Sequence, residues 1–140
     1  MKRRLPLLLA LVLLALLAYG FLAPHPMLKH PETCRVQHIL YYPDDDQSVP
    51  LTDFDNDAIV ACLRKYKAEN SWTLASGGSS AYHLFLMIKD GEDLKTIGLG
   101  EENTICSSQE KDRTPFLYRI KQGSALRDEI FQLLDLPPVG

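Results

Sequence analysis

Residues 81 to 100 read AYHLFLMIKDGEDLKTIGLG, and the rest of the fold is built outward from them. Tyr82, Leu84, Leu86 and Ile88 alternate with Ala81, His83, Phe85 and Met87. Both sets are largely apolar, so the spacing predicts a central strand over 81–89 that is covered on both faces. Asp90-Gly91 is a two-residue hairpin signal, and DLKTIGLG returns as the next strand. CRVQHILYYP, about 34–42, reads as an earlier strand, and SWTLAS as a short one. NTICSS, about 103–108, and FLYRIK follow as later strands. The DDDQSVP stretch between the first strand and the first helix of the body reads as a polar loop.

LTDFDNDAIVACLRKYKAEN predicts a helix over about 52–68. Thr52 with Asp55 fits a capping box with the shorter acid. Asp53, Asp55 and Asp57 load its start, and Arg64, Lys65 and Lys67 its end, as the macrodipole favours. Ile59, Cys62, Leu63 and Tyr66 fall on one face. A second helix starts after Gln122-Gly123, with Ser124 as cap and Leu126, Ile130, Leu133 and Leu134 as its stripe. Pro137 and Pro138 stop it. The expected fold is therefore α+β: an N-terminal hydrophobic helix, then one small domain in the order β-α-β-β-β-β-β-α. Its antiparallel sheet has five to six strands, packed by two helices.

The chain opens MKRR and continues LPLLLALVLLALLAYGFLA, 19 residues from Leu5 to Ala23 without a charge. A basic start before an apolar run is an export signal, and about 20 such residues span a bilayer. The first reading is an uncleaved signal anchor with its N-terminus in the cytoplasm and the domain on the far side of the inner or plasma membrane. The alternative is cleavage near Gly20, where Ala18-Tyr19-Gly20 offers small residues at the right places, leaving a periplasmic or secreted body. Pro24, Pro26 and Pro31 make 24–33 a stiff extended spacer. The chain then divides into 1–23 anchor or signal, 24–33 spacer, 34–136 domain and 137–140 tail.

Three of the 15 basic residues lie before the apolar run, so the exported part carries 12 basic against 18 acidic residues, a net charge of −6. Such a body does not grip nucleic acid or an anionic lipid surface, both of which need clustered Lys and Arg, but suits a basic protein partner. An oxidising compartment favours one disulfide among three cysteines. Cys34 with Cys106 is the expected pair, with Cys62 left free as a small core residue.

Chemical motifs are scarce. SGGSS (Ser76 to Ser80) lies between two strands, whereas phosphate loops open helices. It matches neither G-x-x-x-x-G-K-[ST] nor G-x-S-x-G, so it reads as a strand connection. DFDND resembles the start of a calcium loop, yet Ala58 stands where glycine is needed and Arg64 where a glutamate belongs. His25 and His30 in the spacer are not a metal-ligand pattern, and no metal or cofactor is expected. The body holds two histidines, His38 and His83, so any histidine catalyst is one of these. The expected function is a non-catalytic extracytoplasmic binding module, inhibitor- or immunity-like, that binds a protein of the cell envelope. Trp72, Gly77, Gly78, Ser79 and Ser80 are its candidate contact residues. The alternatives are a small hydrolase using His83 or His38, and a structural subunit of a membrane complex.

Overall fold

The computed structural model describes residues 4–44, 46–74, 82–108 and 116–138, leaving out the side chains of 21, 70–74, 107–108 and 116–117. It is α+β, with one antiparallel sheet of eight strands and three helices. The elements are α1 (Arg4–Leu22), β1 (His25–Pro26), β2 (Arg35–Asp44), β3 (Gln47–Leu51), α2 (Asn56–Leu63), β4 (Lys67–Leu74), β5 (Tyr82–Asp90), β6 (Asp93–Gly100), β7 (Asn103–Ser108), β8 (Phe116–Ile120) and α3 (Gly123–Leu133). The strand order is β1-β4-β8-β7-β6-β5-β2-β3.

The 81–100 stretch forms the β5–β6 hairpin at the heart of this sheet. Asp90 opposes Asp93, Leu86 opposes Ile97, and Gly91 takes φ +65°, a conformation glycine adopts without strain. β5 is interior, flanked by β6 and β2. Leu84, Leu86 and Ile88 are fully buried, while His83, Phe85 and Met87 on alternate positions are half-buried. The fully buried face is the one under α2 and α3, where Ile59, Leu63, Leu126 and Ile130 close the core with Ile39, Ile97 and Leu99. Burying each of these side chains contributes about 1.5–3 kcal/mol, which holds the two helices to the sheet.

Several boundaries differ from expectation. The first body helix is 8 residues long, not 17, because Asp55 rather than Thr52 is its cap: the Asp55 carboxylate accepts from the Asp57 and Ala58 amides. Its end comes at Leu63, since Lys67 onward pairs as β4 with β8. Cys62 is buried, as read. DDDQSVP is not wholly a loop. Gln47–Leu51 forms β3, an edge strand, where a proline costs no ladder bond. α3 starts at Gly123 with Gln122 as a left-handed cap, not Ser124, and it buries Phe131 while Leu133 stays 46% exposed. The described strands number eight rather than five to six, the additions being β1 and β3.

Residues 24–33 are not a spacer. His25 and Pro26 pair with Ala68 and Lys67 of β4, and Met27 and Leu28 are buried at 2% and 5% exposure. The segment is a strap that crosses the core under the sheet before Arg35 opens β2. α1 runs 19 residues, about 28 Å at 1.5 Å per residue, against roughly 30 Å of bilayer hydrocarbon. Among the described residues no helix is long and apolar enough to cross a membrane, so the membrane-spanning part of the expected architecture is not borne out by the fold. The described large apolar side chains of α1 are nevertheless exposed, from 48% at Val12 to 75% at Tyr19.

All three cysteines are free thiols. Cys34 lies beside Asp90 and Lys95 on the helix-covered side. Cys106 opposes Thr96, which alternates with the buried Lys95 and Ile97, and so sits on the other side of the sheet. A Cys34–Cys106 bridge is not formed, because the sheet separates the two thiols. Burial pushes all three thiols above their usual range, Cys62 up to about 12 with Glu129 adding to the effect. A thiol-reactive probe is therefore expected to modify the half-buried Cys106 first in the native protein. Mass spectrometry of tryptic peptides after brief labelling checks this, and denaturant should expose all three.

Candidate functional site

Two places bring chemically active side chains together. The first is the strap junction. Lys95 and Asp90 are both buried, at 5% and 1% exposure, and Lys95 Nζ donates to Asp90 Oδ2 at 2.7 Å and to the Met27 carbonyl at 2.7 Å. The Asp90 carboxylate also accepts the Lys29 and His30 amides, each at 2.6 Å. Burial alone raises the Asp90 carboxyl, but the Lys95 bond and these two amides outweigh it and hold the group below its ordinary value. Each polar atom of this cluster has work inside the fold, so it reads as a latch. The cavity beside it, reached by His25, Lys29, Lys95 and Tyr118, is about 70 Å³. That admits about two waters, far below the 300 Å³ or more of an organic ligand site.

The second place lies along α3. Asp135 takes φ 54°, and the Leu136 amide donates to the Phe131 carbonyl at 2.9 Å, so the chain after α3 folds back along the helix. The fold-back leaves an open groove of about 580 Å³ with Asp128 and Glu129 on its wall and Phe131 and Leu136 at its base. Glu129 is held in place from the turn after α2 by Lys65 and by the Tyr66 hydroxyl, which donates at 2.8 Å. Those two bonds lower its carboxyl below the usual range, so it stays ionised. Asp128 is exposed and bonds Arg127. The groove thus sets two carboxylates, each paired with a neighbouring cation, beside the apolar Phe131 and Leu136, a lining that takes a basic or amphipathic side chain able to share those carboxylates. By sequence, Pro137-Pro138 is a helix stop and no more. The signal that could have found the groove is Leu136, an apolar residue between Asp135 and the two prolines.

The expected contact residues do not converge on either place. Trp72 lies in β4, and its side chain, like residues Gly77, Gly78, Ser79 and Ser80, is outside the described residues. The strands on either side of this segment are not neighbours: β8, β7 and β6 stand between β4 and β5. His38 opposes Met87 on β2, and His83 lies beside the register shift between Tyr82 and Leu84. No carboxylate or nucleophile is hydrogen-bonded to either histidine among the described residues. Asp55 and Asp57 serve α2, while Asp44 is at the far end of the β2–β3 hairpin, so the acidic residues are not one patch. Among the described residues no three His, Cys, Asp or Glu side chains are grouped as a metal site.

The half-buried face of the sheet carries an aromatic row. Tyr42 meets Phe85 edge-on at 5.6 Å, Phe85 meets Tyr82 at 5.2 Å, and the Tyr82 hydroxyl lies 2.9 Å from Thr104 Oγ1. Gly98 makes room for it, since a Cβ there would stand 2.6 Å from the Tyr82 ring. A scan against protein-family models finds no match, and searches of curated proteins and of solved structures find none either.

Proposed function

We propose that this is an exported, non-catalytic binding module whose α3 groove seats a basic segment of an envelope protein. The observation that carries the reading is the groove itself: an open, preformed concavity walled by Asp128 and Glu129 on a body of net charge −6. The charge favours a basic partner and raises its association rate at low salt. The cavity at the strap junction, about 70 Å³, is too small for an organic ligand, so the groove is the candidate contact surface. α1 tethers the body to the inner or plasma membrane. Its exposed leucines support this, since no other described element covers them. A bilayer thins locally to accept a helix a few ångströms short. Cleavage near Gly20, giving a free periplasmic or secreted body, is the alternative route of export.

The test is a crosslinked pull-down of the full chain from envelope extract in mild detergent, beside an Asp128→Lys, Gln132→Lys variant. One stoichiometric partner is expected, lost at high salt and lost in the variant at low salt. A partner captured equally by the variant sinks the groove assignment. An empty pull-down, followed by a hydrolytic activity that His83→Ala or His38→Ala abolishes in a folded protein, puts the enzyme in its place.

A further inference from the structure

We propose that the β1–β4 edge of the sheet lies in the lipid headgroup layer, with the body pressed against the membrane rather than held away from it. The inference rests on the reading of α1 as a tether. Its premise is the length of free chain. A spacer of ten residues at 24–33 in an extended proline-rich conformation would reach about 31 Å. In the fold almost none of that reach exists, because His25 is already paired with Ala68. Only Ala23 and Pro24 separate the end of α1 from β1, and three Cα–Cα steps cover at most about 11 Å. The headgroup layer is itself roughly 5–8 Å deep on each side. With Leu22 at the hydrocarbon boundary, His25 and its β4 partners have nowhere to go but in that layer or at its surface.

The strap cannot unroll to lengthen the link. Met27 and Leu28 are core residues, the Met27 carbonyl is held by Lys95, and the Lys29 and His30 amides are held by Asp90. The edge also has the right charge for its setting. Lys67 and Lys121 are exposed there beside His25, and the Lys121 amide donates to the Lys67 carbonyl at 2.8 Å. Glu69, 4.0 Å from Lys121, is the acid among them. Lysines beside a phosphate layer are favourable, although the body as a whole is acidic. The opposite edge, β3, is seven strand spacings away in the order, roughly 33 Å across a flat sheet.

The experiment uses the full chain in a Cys106→Ser background, reconstituted in vesicles of phosphatidylethanolamine and phosphatidylglycerol with a nitroxide-headgroup lipid. A fluorophore is placed in turn at His25→Cys, Lys67→Cys and, as the far-edge control, Gln47→Cys. Labels at 25 and 67 are expected to be quenched several-fold more than the label at 47. Equal quenching at all three positions, in protein that floats with the vesicles, overturns the apposition and leaves the tether reading standing. Protein that does not float with the vesicles overturns both.

Discussion

Replacing Asp90 with alanine is expected to cost about 3–5 kcal/mol, the usual penalty for leaving a buried partner charge alone. Lys95 would then be a buried ammonium whose remaining protein acceptor is the Met27 carbonyl, and the Lys29 and His30 amides would lose their acceptor. For a domain whose whole stability is of order 5–15 kcal/mol this is a large fraction. Thermal unfolding by circular dichroism should show a fall of roughly 10–20 °C. The double variant Asp90→Leu, Lys95→Met removes both charges, and recovers part of the loss. It does not recover all of it, because two strap amides still lack an acceptor, at about 1–3 kcal/mol each if they stay dry. A single Asp90→Ala variant as stable as the parent would show that the latch is not closed. The same pair sets a pH dependence. The Asp90 carboxyl is held below its ordinary value of 3.8, so the folded state binds this proton less readily than the unfolded chain. Its contribution is complete above about pH 5 and is lost as pH falls through the unfolded and then the depressed value. Acid titration of the parent should show this loss, and the double variant should lack it.

Leu86→Ala is expected to cost about 2–5 kcal/mol, and Met87→Ala, one residue along the same strand, about 1 kcal/mol or less. Leu86 is fully buried opposite Ile97 between the sheet and the two helices, so its removal leaves a cavity that a sheet fixed on both sides does not close. Met87 stands half-buried on the other face and opposes Thr96 and His38. Urea unfolding measures both, and an unchanged m-value shows that the loss is in the native state. Equal costs at 86 and 87 would mean that the second face is a core as well.

The local chemistry of several elements was legible because it repeats at short range. Asp90-Gly91 needs no tertiary context to make a hairpin, and β6 and β7 match the expected 93–100 and 103–108 because alternation and flanking turns define them. The apolar residues Ile59, Cys62 and Leu63 were readable for the same reason. Where two neighbouring residues offered the same chemistry, short range was not enough. Thr52 and Asp55 are both good caps, and only the docking of Asn56 Oδ1 onto the Val36 amide, at 2.7 Å, places the start of α2 at the later one. The expected site fared differently from the expected fold. Trp72 and Gly77 to Ser80 stand out by residue type, and type alone says nothing of which strands they join.

By itself the sequence determined the class of this protein: an apolar, basic-led start, an acidic body and an α+β order, all properties of composition and short-range period. Tertiary structure decided three things. It turned a proline-rich stretch into a strap, because a buried carboxylate 60 residues away accepts the His30 amide. It kept Cys34 and Cys106 apart, because strand alternation puts them on opposite sides of the sheet. It made a groove of Asp128, Glu129, Phe131 and Leu136, because a left-handed Asp135 turns the chain back. Each depends on which residues meet across long separations, and loop closure, packing and burial settle that only when the whole chain is folded.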